Sequence, residues 1–104
     1  MATPEGKVKD RIKHFLKHYK IDYWMPQPSP IGNTNGMSDF IAILSNGQWL
    51  AIEAKAPGKK DNTTPNQEKF LKTIRNNGGF AFVVAGDEDL IEVESAILPI
   101  LRHV

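Results

Sequence analysis

Residues 38–44 (Ser-Asp-Phe-Ile-Ala-Ile-Leu) and 48–54 (Gln-Trp-Leu-Ala-Ile-Glu-Ala) are apolar on nearly every residue, and only Ser45-Asn46-Gly47 separates them. An Asn-Gly step between apolar runs is a strong hairpin signal. Strands without polar alternation must be covered on both faces, so this hairpin demands layers on either side of it. A chain of 104 residues has room for one domain, 1–104, built round a single core.

The covering layers are legible on either side of the hairpin. Val8, Ile12, Phe15, Leu16 and Tyr19 recur at helical steps, which predicts an amphipathic helix from Thr3, its N-cap, to Lys20, with Pro4 at the first position. Tyr23-Trp24-Met25 is a short strand, confined to an edge by Pro26, Pro28 and Pro30. The segment from Pro26 to Gly36 is the longest loop candidate, and loops of that length are often functional. Thr64-Pro65-Asn66-Gln67 opens a second helix with Phe70, Leu71 and Ile74 on its buried side, stopped by Gly78-Gly79. Phe80 to Val84 is a buried strand. A last helix starts near Asp87 with Leu90, Val93, Ile97 and Leu101 on one side, where Pro99 is expected to kink or shorten it. The order is α-β-β-β-α-β-α: an α/β fold with a mixed sheet of about four strands flanked by helices. The helix between the second hairpin strand and Phe80 implies a parallel, right-handed crossover.

Composition narrows the function classes. The chain has no cysteine, which excludes disulfides, thiolate metal sites and a cysteine nucleophile. Its apolar runs are too short to span a membrane, and Met1 to Lys7 shows no secretory core, so an intracellular protein is expected. The net charge is only +1, yet Lys7, Lys9, Arg11, Lys13, Lys17 and Lys20 crowd the first twenty residues against Glu5 and Asp10. A second basic stretch includes Lys59, Lys60, Lys69, Lys72 and Arg75. Two basic segments suggest an anionic partner; solvated helix faces are the plainer explanation.

Three ionisable residues interrupt the apolar hairpin: Asp39 at its start, and Glu53 and Lys55 at its end. Buried charges must pair or bind metal. Alternation puts Glu53 and Lys55 on one face. A two-residue turn, Asn46-Gly47, would place Asp39 opposite Ala54. A three-residue turn with a left-handed Gly47 places it opposite Glu53 and aligns all three groups, and we favour that register. Two carboxylates and a lysine on one face suit a hard cation such as Mg²⁺ or Mn²⁺ beside a phosphodiester. A surface salt-bridge cluster is the alternative.

Gly36-Met37-Ser38-Asp39, Glu53-Ala54-Lys55 and Gln67 opening the next helix together resemble the PD-(D/E)xK nuclease superfamily, and within it the VRR-NUC domain. The likeness runs along most of the chain, from Glu5 to the apolar strand after Gly78-Gly79; Ser38 stands where the superfamily name implies proline. The resemblance implies a restriction-endonuclease-like core and metal-dependent cleavage of DNA. Small free-standing members, often from phages, are similar to Holliday-junction resolvases, which implies a homodimer with two sites for two strands. Carried over, Asp39 and Glu53 are metal ligands with the Ala54 carbonyl, and Glu5 is a ligand directly or through water. Lys55 is the catalytic lysine, and Gln67 supports the site or contacts the phosphate.

Gln67 also stands at capping-box spacing from Thr64, and Glu5 in a helix's first turn is favoured by the dipole alone. Lys7, Lys9, Arg11, Lys13, Lys59, Lys60 and Lys72 are the candidate phosphate-contacting surface. No groove-reading motif is present, so recognition of DNA shape is expected. His14 and His18 have no third metal partner in the sequence. Trp24 and Trp49 are suited to core or dimer packing, or to stacking on bases. Asn33, Asn35 and Gly36 lead into the site.

Overall fold

A computed structural model describes residues 3–27 and 36–101; Pro28, Pro30, Asn33 and Asn35 lie outside them. The elements are α1 (Pro4–His18), β1 (Tyr23–Trp24), β2 (Phe40–Ile43), β3 (Trp49–Ala54), α2 (Pro65–Asn76), β4 (Phe80–Val84) and α3 (Asp87–Leu101). The sheet order is β1-β2-β3-β4, with the first two pairings antiparallel and β3–β4 parallel. This is an α/β fold with a four-stranded mixed sheet and three helices, consistent with a restriction-endonuclease-like core. Among the described residues, no helix is long and apolar enough to cross a membrane.

Local chemistry sets the element ends. Thr3 caps α1 by accepting from the Gly6 amide. Thr64 and Gln67 form a full capping box at α2. At the hairpin, Phe40 pairs with Ile52 and Ile43 with Trp49, so the turn is the three-residue one. Gly47 sits there at φ 90°, a conformation open to glycine at little cost.

That register sorts the side chains. Phe40, Ala42, Leu50, Ile52, Ala54 and Val84 face α1 and α3 and form the main core with Val8, Ile12, Leu16, Val93 and Ile97. Ala51 and Ala81 face α2, where Leu71 and Ile74 cover them. The expectation that the hairpin is covered throughout needs correction. α2 packs over β3 and β4, and towards the turn Ile43 and Trp49 are 48% and 46% exposed. Trp24, on the edge strand, is 59% exposed, so neither tryptophan is a core residue. Pro99 does not end α3, which continues to Leu101.

Candidate active site

The site forms where β3 ends. Continuing the hairpin register by one step brings Asp39 opposite Glu53. The Ala54 amide donates to Asp39 Oδ2 at 2.8 Å, so backbone holds one oxygen of this carboxylate. Its other oxygen lies 3.7 Å from Lys9 Nζ. Glu53 points to the α2 side of the sheet and is 4% exposed, which rules out a solvated surface cluster. Burial, and then the negative charge of Asp39, push its carboxyl up to about 7, with Lys55 acting in the opposite sense.

Gln67 joins the remaining groups. Its Nε2 donates to Glu53 Oε2 at 3.1 Å, while its Oε1 accepts from Lys55 Nζ at 3.1 Å and from the Thr64 amide at 2.9 Å. This amide orientation suits all three partners, because Lys55 and Thr64 bring only donors. Lys55 Nζ is also 3.7 Å from Glu53 Oε2. One side chain therefore completes the capping box and sets the distance between Glu53 and Lys55. The capping position of Gln67 is thus compatible with its contacts to Glu53 and Lys55.

A cleft of about 260 Å³ opens onto Lys9, Gly36, Ser38, Asp39, Glu53 and Gln67. Gly36 lies at φ 94°, so close to α2 that an added Cβ would come within 2.6 Å of Asn66 Cβ. Glycine lets this part of the chain approach the residue that precedes Gln67. Among the described residues, two buried oxygens in the cleft, Ser38 Oγ and Glu53 Oε1, have no hydrogen-bond partner. Such groups are costly to bury unmatched, so Glu53 Oε1 is an oxygen open to a donor or a cation in the cleft.

The donor set fits a divalent ion of the Mg²⁺ or Mn²⁺ kind: two carboxylates, with Ala54 between them at the strand end. Mg²⁺ is commonly held by only one or two carboxylates, with water and phosphate completing its shell. Among the described residues, no group of three or more His, Cys, Asp or Glu side chains is arranged to hold a metal. Glu5 Oε2 lies 3.5 Å from Lys9 Nζ, the same ammonium that faces Asp39.

The expected phosphate surface divides in the structure. Lys7, Lys59 and Lys72 are exposed and Lys13 is half-buried. Arg11 is paired with Asp87 at 3.0 Å and Lys60 with Asp89 at 2.6 Å. Lys9 belongs to the cleft. The sequence pattern groups it with the phosphate surface, although its position four residues after Glu5 signals a shared helix face. Ser38 stands out in the sequence only for its departure from proline, yet its hydroxyl is buried in the cleft. His14 and His18 are exposed.

The sequence matches the VRR-NUC domain family over residues 9–88. No curated protein matches the chain at a significant level.

Proposed function

Because the chain belongs to the VRR-NUC domain family, which makes it a nuclease-type, DNA-binding domain, we propose that it is a divalent-metal-dependent endonuclease selective for branched or structured DNA. The observation that carries the reading is the Gln67 amide linking Lys55 to a buried Glu53 whose second oxygen has no partner among the described residues. A merely structural ion pair would not leave that oxygen beside a cleft and unsatisfied.

In this reading Asp39 and Glu53 hold Mg²⁺ or Mn²⁺ with the Ala54 carbonyl. A bound ion would supply Lewis-acid chemistry for phosphodiester hydrolysis by water. Asp39 is oriented for this by the Ala54 amide, and Glu53 by Gln67. Lys55, held by Gln67, offsets negative charge developing on the phosphoryl oxygens. Exposed Lys7, Lys59 and Lys72, with Lys13, supply sequence-independent contacts to the backbone. A homodimer would present two such sites, as paired incisions in a four-way junction require.

The test uses labelled four-way junction and linear duplex of one sequence, each with Mg²⁺, Mn²⁺ or EDTA. Symmetrical metal-dependent nicks in the junction support the full reading. Equal cutting of the duplex retains the nuclease and removes the junction preference. DNA binding without cleavage under either metal would reject catalysis in favour of a non-catalytic binding module.

A further inference from the structure

Besides Lys55, which lies behind Glu53 and Gln67, a second lysine, Lys9, lines the cleft itself. α1 buries Val8, Ile12 and Leu16 against the sheet, and Lys9, next to Val8, lies at the border of that buried stripe. Its Nζ is 3.5 Å from Glu5 Oε2 and 3.7 Å from Asp39 Oδ1. Asp39 Oδ2 is already engaged by the Ala54 amide, so Lys9 faces the oxygen left for a cation. Lys55 lies with Glu53 and Gln67. Each cleft carboxylate thus has its own lysine.

We propose that Lys9 is a built-in counter-cation for Asp39 and Glu5, competing with the divalent ion for Asp39 and freed to face a DNA phosphate when that ion binds. The proposal rests on the metal-dependent reading above. Lysine suits this role because it is a compact charge on a flexible stem, and Lys9 is one-third exposed, with room to turn towards solvent. Two half-exposed ion pairs are weak enough for a divalent ion to displace, and strong enough to lower its affinity measurably. The same side chain would neutralise the cleft in the absence of metal and bind the backbone in its presence.

Calorimetric titration of the DNA-free protein with Mn²⁺ tests this without reference to cleavage. Lys9→Gln should bind Mn²⁺ about fivefold more tightly than wild type, the size expected for removing two such pairs. Lys9→Arg, which keeps the charge, should stay near wild type. Lys7→Gln removes the same charge from an exposed neighbouring position, and should change Mn²⁺ affinity by less than about twofold because solvent screens it. Circular dichroism checks that each variant is folded. Unchanged or weaker Mn²⁺ binding by Lys9→Gln, with wild type binding normally, would overturn the proposal and leave the metal site standing. Equal tightening by Lys7→Gln would overturn it in favour of a general charge effect. Absence of Mn²⁺ binding in every variant would remove the metal-dependent reading and this proposal together.

Discussion

Gln67 Nε2 donates to Glu53 Oε2 across 3.1 Å, and that bond ties the first turn of α2 to the end of β3. The same amide accepts from Lys55 and from the Thr64 backbone, so the position of the lysine depends on how α2 begins. One side chain thus caps α2 and contacts the proposed catalytic pair, and substitutions can separate the two roles.

Gln67→Ala removes half of the capping box and leaves Glu53 Oε2 without its amide donor. A loss of about 1–2 kcal/mol in denaturant unfolding is expected. Gln67→Glu keeps an acceptor for Thr64 and Lys55 but sets a carboxylate against Glu53. If Gln67 matters only as a cap, the Glu variant should cleave DNA like wild type. If it also positions Glu53 and Lys55, both variants should lose roughly 10- to 100-fold in single-turnover rate, and this second outcome is the one expected.

Lys55→Met should fold, bind DNA with nearly wild-type affinity and cleave it about 100- to 1000-fold more slowly, the usual scale for a lost charge-stabilising group. Binding measured by anisotropy and cleavage measured on the same junction separate the two effects. A parallel fall in affinity and rate would place Lys55 in substrate binding.

Glu53 gives the metal-free protein a characteristic pH dependence. Its carboxyl is raised to about 7 when folded, against an ordinary value of 4.5. Between these values the native state binds more protons than the unfolded one, so stability from this group falls as pH rises. The loss is on the order of 2–3 kcal/mol across that window. Urea unfolding in EDTA should show the decline in wild type and lack it in Glu53→Gln. Above pH 7 the Gln variant should therefore be the more stable protein and the inactive one.

Gly36→Ala should destabilise the fold by on the order of 2–3 kcal/mol, through the positive φ and the contact with Asn66. Because Asn66 precedes Gln67, cleavage should fall further than stability alone accounts for. Thermal melts and rates measured well below the melting temperature distinguish the two.

Much of this arrangement is legible in the chain. Ser45-Asn46-Gly47 between apolar runs defines the hairpin, and Gly47 selects the register that brings Asp39 opposite Glu53. Thr64, Pro65 and Gln67 mark the start of α2 because capping is a local interaction. What the sequence leaves undetermined is non-local. The exposure of Ile43, Trp24 and Trp49 depends on how far α2 extends across the sheet, a matter of packing between distant elements. Lys9 reads as one of a row of basic neighbours because nothing in α1 alone tells which lysine will meet Asp39 across the fold. The pairing of Arg11 with Asp87 and Lys60 with Asp89 has the same origin.

Mn²⁺ anomalous diffraction, from crystals of the protein grown or soaked with the ion, tests the metal-dependent site most directly. One site is expected, with Asp39 and Glu53 oxygens and the Ala54 carbonyl about 2.0–2.5 Å from the metal, and Lys9 turned away from Asp39. An ion bound elsewhere, or a cleft that takes up no Mn²⁺ with Lys9 still on Asp39, would contradict it.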